Sequence, residues 1–171
     1  MVSKQEKISI LKEINTVIGS KNLVALEELI WLDLPSGIWA VSTSVYKVVK
    51  QIVISLKDHK FQFAGVFLGK LRHQFGLSLE SLYFIKNAIN RYIILEDKLL
   101  EKFLYGKSVK VKKHEFKDNI LFNINSKIVI MTADIIPVGI ASIRSINKGY
   151  YTIKPIIDLG IYLRKQKDVF Q

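Results

Sequence analysis

The side chains that most often carry enzyme chemistry are few in this chain, and their spacing does not favour catalysis. The sequence contains no cysteine, which excludes a thiol nucleophile, a thiolate metal site and disulfides within these 171 residues. His59, His73 and His114 lack the short helical spacing at which two histidines converge on one metal ion. No two carboxylates are placed to form an acid–base pair. We therefore expect no enzymatic activity, no metal site and no cofactor.

One short segment superficially resembles a phosphate-binding loop. Residues 106–108 read Gly-Lys-Ser, but the motif also requires a glycine at position 101, where this chain has Glu101. A helix must follow such a loop, whereas the residues after 108 alternate as a strand does. We interpret Gly106 as the end of a helix and expect no nucleotide site there.

The excess of basic residues is the most informative property of the sequence. The chain has 26 Lys and Arg residues against 15 Asp and Glu residues, a formal net charge of +11. Such an excess predicts attraction to polyanions, with nucleic acid first and an anionic membrane surface second. The hydrophobic content of 49% argues against a disordered polyelectrolyte. The longest apolar region, residues 128–143, is interrupted by polar residues and a proline, so it is not expected to span a membrane. Of the two candidate polyanions we therefore expect nucleic acid as the partner and no membrane.

The second half of the chain is predicted to be a small β-structure with a basic surface. In the strand that starts near Val109, apolar and lysine side chains alternate, so the lysines point to one face. Further strands are predicted at 120–124, 128–131, 150–154 and 161–165, and together they favour a nearly closed barrel. Four tyrosines there are candidates for stacking on bases, with packing in the core as the alternative: Tyr105, Tyr150, Tyr151 and Tyr162.

The first half reads as mixed α and β structure. Ser3 and Glu6 form a capping-box pair, and the apolar spacing after them predicts a helix that ends at Gly19. Strands are predicted at 29–34 and 38–42, and Ser78 is predicted to cap a helix that buries Tyr83. The fold class is therefore α+β, with an α/β domain at 1–91 packed on a β-barrel domain at 92–171.

Three segments of the second half resemble a PUA domain, an RNA-binding module: residues 103–106 with the strand after them, 134–139 and 158–164. The whole chain is similar to the Nip-seven family of ribosome-biogenesis proteins, of the archaeal type, through residues 38–42, 68–71 and 75–82. This resemblance implies a non-catalytic factor in large-subunit biogenesis and pre-rRNA processing. Its PUA domain would bind uridine-rich single-stranded RNA, and its N-terminal domain would bind ribosome assembly factors or exosome subunits. The implied location is the cytoplasm of an archaeal-type cell, or the nucleolus of a eukaryote.

The resemblance also implies where RNA is bound, around the Tyr-Leu-Arg run at the end of the PUA domain. The expected RNA-binding residues at and around this run are Arg164, Lys165, Lys167, Lys154, Lys112 and Lys113. Changing Arg164 and Lys165 to glutamate is expected to weaken RNA binding with little change in melting temperature. Two alternatives stay open: an RNA-targeting subunit of a separate tRNA or rRNA modification enzyme, and a protein that binds acidic patches of other proteins.

Overall fold

The computed structural model describes residues 1–20, 22–55, 64–71, 75–112, 122–161 and 164. The chain divides into two compact units. The first unit comprises Met1–Asn15 and Lys21–Ala88, and the second comprises Thr16–Ser20 and Ile89–Gln171. The assignment of separate roles to residues 1–91 and 92–171 stays a prediction. No helix within the described ranges is both long enough and apolar enough to cross a membrane.

The first unit contains a four-stranded antiparallel sheet with helices. Its strands run in the spatial order β1-β2-β3-β4. The elements of this unit, with α1 running on into the second, are α1 (Lys4–Ile18), α2 (Val24–Glu27), β1 (Ile30–Leu34), β2 (Gly37–Val41), α3 (Thr43–Ser55), β3 (Val66–Leu71), β4 (Phe75–Leu77), α4 (Leu79–Phe84) and a 3-10 turn at Lys86–Ala88.

Local sequence signals explain how two of these helices start. The Ser3 amide and hydroxyl donate to Oε2 of Glu6 at 2.9 and 2.6 Å, and the Glu6 amide donates back to Ser3 Oγ at 3.2 Å. This reciprocal pairing is the predicted capping box. Ser78 caps α4 as predicted, since its hydroxyl accepts from the Ser81 amide at 3.0 Å. The prediction that α4 buries Tyr83 is wrong: this side chain is 58% exposed, because Leu79, Ser81 and Leu82 form the buried face.

The second unit is built on a five-stranded sheet that curls into a half-barrel. Its strand order is β5-β7-β8-β9-β6; β5 pairs with β7 in parallel, and the other pairs are antiparallel. The α+β fold class is therefore confirmed. The elements are β5 (Tyr92–Ile94), α5 (Asp97–Leu104), β6 (Val109–Lys112), β7 (Lys127–Met131), β8 (Pro137–Asn147) and β9 (Tyr150–Asp158).

Two predicted strands of this unit are wrong in their described residues. Within 120–124, Phe122 and Asn123 are irregular and Ile124 begins a turn, and Asn125 adopts a φ of 70°. Asn125 can occupy this turn because asparagine tolerates the left-handed region better than most other residues do. Within 161–165, Ile161 and Arg164 are helical rather than extended. An ion pair described below explains that difference.

Candidate nucleic-acid interface

The inner face of the β6–β9 pair anchors both strands in the core. Val109 lies opposite Ile153, and Val111 lies opposite Tyr151. All four side chains are buried in one hydrophobic cluster. Directly opposite residues of an antiparallel pair point to the same side of the sheet, so the intervening residues must point outward. The predicted alternation of β6 is therefore confirmed, and it fixes where the lysines lie.

The outer face of the same strand pair carries lysines beside a tyrosine and a threonine. Lys110 lies opposite Thr152, and Lys112 lies opposite Tyr150. Lys154 follows on β9 two residues after Thr152, so it points to the same side. All three lysines are exposed, and Tyr150 is 44% exposed. Two of the predicted RNA-binding residues, Lys112 and Lys154, are thus brought to one face by the register of β6 and β9.

The register places a further lysine, which is half-buried, on the same side of β7, across the buried Ser142 of β8. Lys154 lies opposite Ser142 on β8, and Ser142 lies opposite Lys127 on β7. Arg144 is exposed at an irregularity of β8, where the register with β9 shifts between Ile143 and Ser145. We refer to five residues together with Tyr150 as the outer basic face: Lys110, Lys112, Lys127, Arg144 and Lys154.

The electrostatics of this face are one-sided. Among β6, β7, β8 and β9, the only acidic residue is Asp158, at the last position of β9. Its side chain is only 4% exposed, and it is paired with Arg164. The exposed charges on these four strands are therefore all positive. A polyanion that crosses this face meets no carboxylate of the four strands.

Arg164 is placed differently from the lysines. Its Nη1 and Nη2 donate to the two carboxylate oxygens of Asp158, each at 3.0 Å, and Nη1 also donates to the carbonyl of Leu104. The hydrogen bond with Asp158 raises the pKa of Arg164 above its ordinary value. Arg164 thus joins three segments of the second unit: the end of α5, the end of β9 and the helical residues after it.

Gly160 allows this close approach, and Gly106 lies beside the guanidinium. A Cβ on Gly106 would lie 3.5 Å from the guanidinium carbon of Arg164. A Cβ on Gly160 would lie 1.7 Å from the Leu104 carbonyl oxygen and 2.8 Å from Asp158 Oδ1. As predicted, Gly106 follows the end of α5, and its φ of 76° favours glycine. A side chain at position 160 would therefore clash with two groups that bind Arg164, whereas at position 106 the positive φ, rather than lack of space, favours glycine.

The same ion pair accounts for the helical conformation after β9. Asp158 and Arg164 are six positions apart in the sequence. An extended chain would separate their Cα atoms by about 20 Å, whereas a helical path of six residues rises about 9 Å. Only the compact path lets the guanidinium reach the carboxylate. This requirement is why the described residues Ile161 and Arg164 do not belong to an extended strand.

The predicted site residues that the structure describes therefore lie at two separate places. Lys112 and Lys154 lie on the outer basic face, and Arg164 lies beyond the far end of β9. Lys112 pairs with Tyr150 at the start of β9, and the eight steps along the strand from Tyr150 to Asp158 span about 26 Å when extended. Lys113, Lys165 and Lys167 lie outside the described residues.

Sequence reasoning missed Lys127 and Arg144 as members of the basic surface. The place of Lys127 follows from register across three strands, and Arg144 lies at a register shift of β8, so the local sequence pattern marks neither residue. The tyrosines are also separated by the structure. Tyr151 is 2% exposed and packs edge-on against Phe122, with ring centroids 6.2 Å apart, whereas Tyr150 lies on the outer basic face. For Tyr151, the core alternative is therefore correct.

Comparison with known protein families finds a domain match in the second half of the chain. Residues 91–167 match the protein family described as the UPF0113 PUA domain. No curated protein matches the chain. A PUA domain is thus present in the part of the chain that carries the outer basic face, and it implies RNA as a partner in general. Among the described residues, no cluster of three or more His, Asp or Glu side chains is placed to hold a metal ion.

Proposed function

We propose that this protein is a non-catalytic RNA-binding factor in large ribosomal subunit biogenesis and pre-rRNA processing. In this proposal the PUA domain binds single-stranded, uridine-rich RNA, and the N-terminal part recruits ribosome assembly factors or exosome subunits. The match of residues 91–167 to a PUA domain supports the RNA partner. The similarity to the Nip-seven family supports the ribosomal role.

The outer basic face is the observation on which RNA binding rests. Its lysines lie on a rigid sheet, because the alternate residues of β6 and β9 are fixed in the core. Binding of single-stranded nucleic acid releases counterions, and each neutralised phosphate contributes a slope of about −0.7 to a plot of log affinity against log salt. Contacts by Lys110, Lys112 and Lys154 would together contribute about −2 to that slope.

Tyr150 gives this face a second kind of contact. Aromatic side chains in single-strand binders stack on bases, and each stack is worth about 1–3 kcal/mol. Tyr150 is 44% exposed and lies opposite Lys112, so a base stacked on its ring would place the adjoining phosphate near a lysine. Stacking tolerates any base, so preference for uridine must come from further contacts.

Removal of the three lysine charges tests the RNA-binding part. A variant with Lys110→Gln, Lys112→Gln and Lys154→Gln should bind oligo-uridine more weakly, with a salt slope shallower by about 2. The matched control carries Lys12→Gln, Lys47→Gln and Lys50→Gln, which removes the same charge from exposed positions of the first unit. Filter binding at several salt concentrations gives both slopes. Equal loss in the two triple variants would show that only net charge matters and would overturn the assignment of the face.

The ribosomal part needs a separate test. The intact protein should crosslink to pre-rRNA in cells and should co-purify with precursors of the large subunit. Crosslinks confined to tRNA, together with co-purification of a pseudouridine synthase or a transglycosylase, would instead make the chain a targeting subunit of an RNA-modifying enzyme. That outcome would contradict the proposed ribosomal role but not the proposed RNA binding by the outer basic face.

A further inference from the structure

The first unit contains an open pocket whose chemistry differs from that of the basic face. The pocket has a volume of about 560 Å³ and is lined chiefly by Trp39, Val66, Phe67, Glu80, Tyr83 and Phe84. Ligand pockets commonly fall between roughly 300 and 1,000 Å³. Four of these six side chains are aromatic, one is acidic, and none is basic. This composition is unusual in a chain with a net charge of +11.

Hydrogen bonds hold the walls of this pocket in place. Trp39 of β2 lies opposite Phe67 of β3, and their ring centroids are 5.0 Å apart. The indole nitrogen of Trp39 donates to Ser36 Oγ at 2.8 Å, which fixes the ring. The Ser78 hydroxyl donates to the Phe67 carbonyl at 2.5 Å, so the first turn of α4 is tied to β3. The pocket is therefore formed before any ligand binds.

The third wall is the exposed face of α4. Glu80, Tyr83 and Phe84 are separated by three and four residues, so they share one side of the helix. Tyr83 is 58% exposed and Phe84 is 44% exposed, which is unusual for adjacent large aromatic side chains. The opposite side of α4 is buried through Leu79 and Leu82. The aromatic rings thus face the pocket and solvent because the other side of the helix already contributes to the core.

An acidic group among aromatic rings is complementary to a cation. The face of an aromatic ring attracts an ammonium or guanidinium group, and a cluster of rings beside a carboxylate strengthens that attraction. One of these rings already makes a cation–π contact within the chain, since Nζ of Lys86 lies 5.1 Å from the centroid of Tyr83. A phosphate backbone would be repelled by Glu80. Charge complementarity therefore favours a basic protein segment over RNA as the occupant.

We propose that this pocket binds an arginine or lysine side chain of a partner protein. The side chain would lie against Trp39 and Tyr83 with its charge towards Glu80. This interaction surface is independent of the RNA contact, because its residues all belong to the first unit. Screening at physiological salt acts over about 8 Å, so the distant lysines of the chain do not exclude a basic partner. Lys86 lies within that distance, and the partner's side chain would have to displace its ammonium group from the Tyr83 ring.

A blocked pentapeptide, acetyl-Gly-Gly-Arg-Gly-Gly-amide, provides a defined probe with one charge. Titrated into the intact, isotope-labelled protein at 150 mM salt, it should shift the NMR signals of the Trp39 indole N–H and of the α4 amides. A single cation in an aromatic site is expected to bind with a dissociation constant that is roughly millimolar. The same peptide with citrulline in place of arginine is neutral and nearly isosteric, and it should bind much more weakly.

Variants separate this site from general charge effects. Glu80→Gln should weaken the arginine peptide about fivefold and Tyr83→Leu about threefold. Glu28→Gln, at an exposed position outside the pocket, should leave the affinity unchanged. Three results would each overturn the proposal. They are an unchanged affinity of the arginine peptide in Glu80→Gln, equal affinity of the citrulline and arginine peptides, and shifts of the pocket's NMR signals on addition of oligo-uridine. The lysine variants that test RNA binding lie in the other unit, so either proposal can fail alone.

Discussion

Removal of the Arg164 guanidinium should destabilise the protein, contrary to the expectation from sequence that this position affects only RNA binding. Arg164→Met keeps the apolar stem of the side chain but removes both hydrogen bonds to Asp158 and the one to the Leu104 carbonyl. The Asp158 side chain is 4% exposed, so its carboxylate cannot be solvated in compensation without local opening.

The magnitude follows from the unequal burial of the two partners. Loss of one partner of a fully buried pair costs about 3–5 kcal/mol, whereas exposed pairs contribute about 0–1 kcal/mol. The Arg164 side chain is 35% exposed, so solvent screens part of the interaction, and we expect a loss of about 2 kcal/mol. For a chain of this length each kcal/mol corresponds to about 2–4 °C, which gives a melting temperature lower by about 4–8 °C.

Thermal unfolding followed by circular dichroism measures this effect, and Arg144→Met is the matched control. Arg144 is exposed on β8, and its replacement should change stability by about 0.5 kcal/mol or less. A double-mutant cycle with Asp158→Asn should give a coupling energy of about 1–2 kcal/mol between the two positions. If Arg164→Met melts like the unsubstituted protein, the ion pair does not hold the end of β9 to α5, and the reasoning above is wrong.

Two further predictions concern backbone approach and helix capping. Gly160→Ala should destabilise the protein by about 1–3 kcal/mol, because the new Cβ would lie 1.7 Å from the Leu104 oxygen. Gly76→Ala is the control for the same melting assay: its Cβ would be 3.7 Å from the nearest atom, so little effect is expected. The hydrogen bonds from the side chain and backbone of Ser3 lower the pKa of Glu6. These bonds therefore stabilise the folded protein at pH values above the pKa that Glu6 has in the unfolded chain, and the stabilisation is lost as the pH falls through its lowered pKa in the folded protein. NMR titration of the Glu6 carboxyl should show this lowered pKa, and Ser3→Ala should return it towards the ordinary value; an ordinary pKa in the unsubstituted protein would contradict the capping geometry.

The sequence by itself determined the features that depend on near neighbours. The capping box of α1, the serine cap of α4 and the end of α5 near Gly106 follow from residues within a few positions of one another. The alternation of β6 is equally local, because a strand turns successive side chains to opposite faces. The basic composition, too, predicted a polyanion as partner, in agreement with the PUA match.

The tertiary structure determined which basic residues lie on the same face of the sheet. Lys110, Lys112 and Lys154 share a face because β6 pairs with β9 in one register, and a shift of one residue would turn the β6 lysines into the core. Arg164 reads from sequence as one more exposed cation, yet it binds Asp158, six positions away, and the end of α5, 60 positions away. Local patterns cannot specify such contacts, since a charged side chain carries the same signal whether its partner is a phosphate or a buried carboxylate.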